Sequence, residues 1–269
     1  LSGFGHDGPY RDMRAFDTVI QGMAGVMSLT GTPDSPPTKV GVSSADNVGA
    51  ATGAMAIMGA LNHKRRTNTG QHINISMHDV QGWMSGELWA YLDTPKELQR
   101  RGNRHATLAP QNLYETRDGL IVIEIETQKQ LDAAARLLGV ENCALPDAKA
   151  YEATYDEAFY QWATVRTSDD ALAICDSLDI PAGKVQGMSD IAESEHTWAR
   201  NMLIELEHVT SGPMKLLGSP FKSSRSPGVV ESTAPNLGQH TREVLSELLG
   251  YSEADLDIME TEGVIRTSD

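Results

Sequence analysis

Between Leu29 and Gly41 the chain runs Leu-Thr-Gly-Thr-Pro-Asp-Ser-Pro-Pro-Thr-Lys-Val-Gly, and no regular helix can pass through it. Pro33, Pro36 and Pro37 fix their own φ and push the residue before each toward extended geometry. Gly31 and Gly41 permit a sharp way in and a sharp way out. Whatever fold the chain adopts, it must break here. The one carboxylate in the loop, Asp34, is held in few conformations, which suits a group that attacks an electrophile. A turn in which the Asp bonds its own backbone is the commoner use of such residues.

On either side lie helix-forming stretches. Phe16 to Thr30 has helical spacing, with Phe16, Val19, Ile20, Met23 and Met27 predicted on one apolar face. After the loop, Asp46 or Asn47 caps a long helix from Val48 to about His63. Its Gly49, Ala50, Ala54, Gly59 and Ala60 are small, so burial on several sides is expected. Residues 1–13 read as a glycine-rich loop. His72–Met77 alternates and predicts a strand. Asp79–Leu92 predicts a helix carrying Trp83 and Trp89. Helix, loop, helix, strand, helix fits part of an α/β layer.

From Pro95 to Pro110 the chain is charged and irregular, and reads as a linker whose Arg104 and His105 face solvent. A strand over 119–126 follows an Asp118-Gly119 turn. Helices are predicted at 127–138, 152–165, 168–178 and 188–202, with a short strand over Pro181–Gln186. This middle part forms a plausible separate α+β unit. A short strand at Met214–Leu217 and helices near 239–249 and 253–261 close the chain.

Composition limits the function. With 269 residues, 40% of them hydrophobic, a real core is affordable, and no apolar run reaches the roughly 18 residues of a membrane span. A net charge of −15 opposes nucleic acid and anionic membranes as main partners. His63-Lys64-Arg65-Arg66 is the one basic cluster and reads as a solvated helix end rather than a phosphate contact. Cys143 and Cys175 give neither a disulfide framework nor metal spacing, and the histidines form no HExxH, so no metal is expected. There is no GxSxG elbow. Gly3, Gly5 and Gly8 fail the dinucleotide fingerprint. Asp17, Asp46 and Asp79 each stand near a helix start, where a carboxylate is favourable without any catalytic role.

A set of motifs in fixed order goes further. They are Ser2-Gly-Phe-Gly-His-Asp-Gly-Pro-Tyr10, Phe16-Asp17, Gly31-Thr-Pro-Asp-Ser-Pro-Pro-Thr38, Lys39-Val-Gly41, Ala45-Asp46, Thr69-Gly-Gln71, Gly102-Asn-Arg-His105, Ile180-Pro-Ala-Gly183, Gly218-Ser-Pro220 and Ala234 to Val244. Together they resemble the family III coenzyme A transferases, homologous to α-methylacyl-CoA racemase. The resemblance implies an α/β fold. Residues 1–94 would be the C-terminal part of a Rossmann-like large domain, 95–211 a linker and smaller α+β domain, and 212–269 a return segment to the large domain. It implies coenzyme A, bound as an acyl-CoA substrate, with a free carboxylic acid as second substrate, no metal, and a homodimer that interlocks in full-length relatives. The cytoplasmic setting is expected instead from composition, with 11 methionines, two cysteines and no visible secretory signal.

By the same motif match, Asp34 is the expected nucleophile, and Ser2, Gly3, Phe4 and Gly5 the expected coenzyme contacts. The racemase branch has a His where Phe16 stands, paired with the Asp that matches Asp46. A phenyl ring cannot move a proton, so two-base racemisation loses a partner here. CoA transfer through an aspartyl anhydride and aspartyl-CoA is therefore the expected reaction. An acyl-CoA racemase or isomerase, and an inactive truncated homologue, are the alternatives.

Overall fold

Helix α1 (Asp17–Met23) buries Ile20 as expected but not the other members of its predicted apolar face. Phe16 is 85% exposed and Val19 and Met23 are open to solvent, whereas Asp17 and Gln21 are buried beside Ile20. The polar pair sits one turn apart, so both side chains share the inward face. It is buried because every polar atom of the pair finds a partner, as described below. The predicted single helix also breaks: Gly25 takes a left-handed φ of 89°, and a short α2 (Val26–Leu29) follows. In the computed structural model, which describes residues 1–267, the chain divides into two compact units, one spanning Leu1–Val185 and the other beginning at Gln186.

After the proline loop comes α3 (Ser44–Thr67), three turns of it small-residue rich. The expected burial on several sides is not what is found. Only Ser44, Ala45 and Gly49 are buried, and Met55, Ile57, Met58 and Leu61 are exposed. The small residues serve one close approach: a Cβ on Gly49 would lie 3.3 Å from Met77 and 3.5 Å from Leu1. His63–Arg66 lie in or just before the last turn, where Lys64, Arg65 and Arg66 complement the carbonyl end of the helix.

The predicted strand His72–Met77 is extended but pairs only at one parallel bridge, Ser2 with Ser76. Amide Ser2 donates to Ile75 O, and Met77 and His78 donate to Ser2 O and Gly3 O. A strand needs a neighbour along its length, and among the described residues Ser2–Gly3 is all that lies there. The helix expected over 79–92 is two, α4 (Met77–Met84) and α5 (Glu87–Asp93), parted at Ser85-Gly86. Ser76 caps the first by accepting from Asp79 N.

The rest of the first unit holds its larger core. An antiparallel sheet runs β1 (Gln111–Thr116), β2 (Gly119–Glu124), β3 (Ala182–Lys184), joined in that order. Strand β1 was not expected, because Asn112, Tyr114 and Thr116 face inward and conceal the usual apolar alternation. Three helices cover the sheet: α6 (Gln128–Leu138), α7 (Glu152–Thr164) and α8 (Ser168–Ser177). Thr127 and Gln130 close a capping box at α6, and Thr167 caps α8. Ile121, Ile123, Ile125, Leu131, Tyr155 and Phe159 are fully buried there, each contributing about 1.5–3 kcal/mol of transfer free energy if aliphatic or aromatic.

In the second unit, α9 (Met188–Glu193) and α10 (Glu195–Ala199) replace one predicted helix. The strand expected near Met214 is the second half of a hairpin, β4 (Leu203–His208) with β5 (Gly212–Leu217). Just past it, Gly218 packs so closely that a Cβ would fall 1.9 Å from Asn201 O. Arg242 of α11 (Thr241–Leu249) joins Glu253, Asp257 and Glu260 of α12 (Glu253–Thr261) at 2.6–2.8 Å.

Candidate active site

The proline loop makes a tight turn at its tip. Ser35 N donates to Thr32 O at 3.1 Å, with Pro33 and Asp34 at the two corner positions. Pro at the first corner matches its fixed φ. Thr38 N donates back to Thr30 O at 3.2 Å and closes the base of the loop. Gly31 has φ 115°, and a Cβ there would sit 2.5 Å from Ser35 Oγ. Asp34 is therefore held by its backbone. Its side chain is exposed and, among the described residues, makes no hydrogen bond or ion pair.

Two distant segments fasten this loop. At its beginning, Arg100 Nε donates to Thr32 O at 3.3 Å and Nη1 to Ser28 O at 3.5 Å, while Gly102 N donates to Gly31 O at 2.9 Å. Two residues on, Arg104 grips Asp156 of α7 through Nε at 2.9 Å and Nη2 at 2.7 Å. Arg104 is thus tied down while 43% of its side chain still faces solvent, as expected. Asp156 is buried and also accepts from Asn112 Nδ2 at 3.0 Å and Tyr114 OH at 2.8 Å. Burial, then the neighbouring Asp156 carboxylate, pushes the Tyr114 hydroxyl well above its ordinary pKa, so it stays a donor. His105 Nδ1 accepts from Thr107 N and Leu108 N, shaping the same segment.

At the far end of the loop the fastening is Gln21. Its Oε1 accepts from Val40 N at 2.9 Å, and its Nε2 donates to Val42 O at 3.1 Å and Asp17 Oδ2 at 2.7 Å. Asp17 Oδ1 in turn accepts from Ala45 N at 2.8 Å. Asp46 is the next residue, exposed in the first turn of α3. Of the amides opening that helix, Ser44 N bonds Val42 O, Ala45 N bonds Asp17 and Asn47 N bonds Ser43 O. The Asp46 N–H has no acceptor among the described residues.

The Ser2–Gly5 loop has a structural use for each residue. Ser2 Oγ accepts from Gly5 N at 3.0 Å. A Cβ on Gly3 would lie 2.8 Å from Ala15 Cβ. Phe4 is buried with Ile20, Ala45 and Met77 and packs edge-on against Tyr10. Gly5 needs its φ of 83°. The loop thereby packs in the same small core as Ala45, next to Asp46.

Two clefts open nearby. One, of about 220 Å³, is lined by Ser28, Leu29, Tyr91, Glu87 and Glu97 among others. The other, of about 380 Å³, is mainly apolar, with Trp83, Leu88, Trp89 and Leu92. Asp34 lines neither. Among the described residues no cluster of His, Cys, Asp and Glu has metal-binding geometry, and no helix is long and apolar enough to cross a membrane.

Sequence reasoning passed over Gln21 and Arg100, and quoted Gly102 only as part of a motif. For Gln21 a signal existed: a polar pair spaced four apart on the face that should be apolar. For Arg100 there was none, since its partners lie 68 and 72 positions away.

Comparison with known proteins agrees with the motif order. The succinyl-CoA–D-citramalate CoA-transferase of Chloroflexus aurantiacus is 31% identical over 274 residues, which is 98% of this chain and 68% of that protein. The succinate–glutarate CoA-transferase of Agrobacterium fabrum is 30% identical over 92% of this chain and 64% of its own length. The crystal structure of a CAIB/BAIF family protein from Brucella suis matches with a TM-score of 0.78 and 31% identity, over 92% of this chain and 66% of that one. The chain thus spans about two thirds of the length of these relatives. With the family model for CoA-transferase family III matched over residues 1–241, the chain belongs to that family.

Proposed function

We propose that the protein moves coenzyme A from an acyl-CoA thioester to a free carboxylic acid through an aspartyl intermediate. An aspartate oxygen attacks the thioester carbonyl, the C–S bond breaks, and CoA leaves as thiolate with the acyl group held as a mixed anhydride. The thiolate then attacks the aspartyl carbonyl, giving aspartyl-CoA and releasing the first acid. The second acid reverses both steps and departs as the new thioester. One thioester replaces another, so the exchange needs no external energy, and each step is easier than direct displacement. The Chloroflexus and Agrobacterium relatives are named for succinyl-CoA with citramalate and for succinate with glutarate, which supports a dicarboxylate acceptor. A homodimer and a Rossmann-like layer around residues 1–94 belong to the same reading.

Two aspartates compete for the attacking role. Asp34 is the one the sequence nominates, presented at the corner of a turn fastened at both ends. Asp46 is the second, and the observation that favours it is its place directly after Ala45, whose amide is anchored on buried Asp17. A carboxylate next to a fixed, free donor can attack while the developing oxyanion is stabilised, an effect worth about 3–4 kcal/mol per donor. The Asp34 N–H has no acceptor among the described residues either, so a free donor does not separate the two; Asp46 differs in following an amide anchored on buried Asp17, beside the core that holds Phe4. We favour Asp46. Ser2, Gly3, Phe4 and Gly5 would then flank the coenzyme beside Asp46, since Phe4 shares a core with Ala45 and Ser2 and Gly3 are half-buried.

The experiment compares Asp34→Asn with Asp46→Asn for exchange between succinyl-CoA and glutarate, with hydroxylamine trapping and peptide mass analysis. Asp46→Asn should lower turnover by about 10⁴-fold or more, as removal of a covalent nucleophile does, and abolish the adduct. Loss in Asp34→Asn alone returns the role to Asp34. Full activity in both ends the covalent reading. Racemisation is disfavoured by Phe16, whose exposed ring has no proton to give.

A further inference from the structure

We propose that Gln21 is a positioning residue that sets the segment 40–46, and with it the attacking aspartate; this rests on the CoA-transfer reading above. A carboxamide offers two N–H donors and one carbonyl. Gln21 spends both donors, on Asp17 Oδ2 and Val42 O, and its carbonyl on Val40 N. Gln21 is fully buried, and Asp17, which it meets, is buried too. Asp17 passes the constraint on, since its other oxygen holds Ala45 N. The relay Val40–Gln21–Asp17–Ala45 therefore clips the end of the proline loop to the first turn of α3. Both candidate nucleophiles lie on segments it restrains, Asp46 directly and Asp34 through the loop's far end.

No other side chain does the same work. An ionised Glu supplies acceptors alone and would face the Asp17 carboxylate. Leu or Met would orphan Val40 N, Val42 O and a buried carboxylate at once. Asp17 makes no ion pair with a basic group among the described residues, so Gln21 is its one side-chain donor. Gln21 itself touches no titratable group other than Asp17.

The test uses Gln21→Leu and Gln21→Glu. Gln21→Leu should lower kcat by about 10²-fold with little change in KM, the scale expected when reacting groups are displaced by about 1 Å. Gln21→Glu should be equally slow at pH 8 and should recover toward pH 5. Repulsion from Asp17 raises the pKa of the introduced carboxyl, and its proton restores one donor. A kcat within about threefold of the parent, or an equal loss in both variants that is flat with pH, overturns the proposal. A second readout needs no substrate. Hydrogen exchange at the Val40 and Ala45 amides should quicken at least about tenfold in Gln21→Leu while α7 stays protected. Unchanged protection at both amides refutes the clamp. An unmodified protein that transfers no CoA refutes the functional reading, and the exchange result then decides the clamp alone.

Discussion

Removing the carboxylate of Asp156 should cost the first unit about 3–5 kcal/mol, mainly through the groups left behind. Four donor atoms converge on it: Arg104 Nε and Nη2, Asn112 Nδ2 and Tyr114 OH. In Asp156→Ala, Arg104 loses little, because 43% of its side chain already meets water and it can turn outward. Tyr114 is fully buried and Asn112 nearly so, and neither can reach solvent. Each orphaned group costs about 1–3 kcal/mol, and the lost side chain adds a small cavity. Asp156→Asn keeps an acceptor for Tyr114 and forfeits the charge, for about 1–2 kcal/mol. In a urea titration with a slope of about 2 kcal/mol per molar, the midpoint should drop by about 2 M for Ala and under about 1 M for Asn. If the two variants unfold together, within about 1 kcal/mol of the parent, the hub is not what fixes residues 104, 112 and 114 to α7.

Two further outcomes are expected. Gly31→Ala adds a Cβ at a φ of 115° and 2.5 Å from Ser35 Oγ, which costs about 1–3 kcal/mol of local strain; turnover should fall while the urea midpoint of the α6–α8 core stays put, and unchanged turnover would contradict the account of the loop. Burial pushes the Cys175 thiol up to about 11. A raised pKa stabilises the fold below the thiol's ordinary value near 9 and withdraws that contribution as pH climbs toward 11; alkaline melting curves should show the loss over this window in the parent and not in Cys175→Ala.

Much of the first unit's second half could be read from the chain. Thr127 with Gln130, Thr167, and the apolar spacing of α6–α8 carry local signals that tertiary packing leaves intact. The Pro33 turn was equally plain. What misled was polarity pointing inward. Asp17 and Gln21 on α1, and Asn112, Tyr114 and Thr116 on β1, are buried because each meets its partner, and a periodicity count sees only that they are not apolar. The converse holds for Trp83, Trp89 and Met58, which such a count sends to a core and the fold leaves exposed. At the site, the carboxylates were visible and their fasteners were not, since Arg100 meets its carbonyls only after the chain has closed on itself.

The segment 100–104 has a practical consequence for dissecting the molecule. Its charge suggests a seam where the polypeptide is naturally divided. Yet Arg100 and Gly102 hold carbonyls of Ser28, Gly31 and Thr32, while Arg104 holds α7. A fragment ending at residue 94 would carry the proline turn without its brace, and a fragment starting there would carry the brace with nothing to grip. Any shortened version meant to preserve the turn must extend through Asp156.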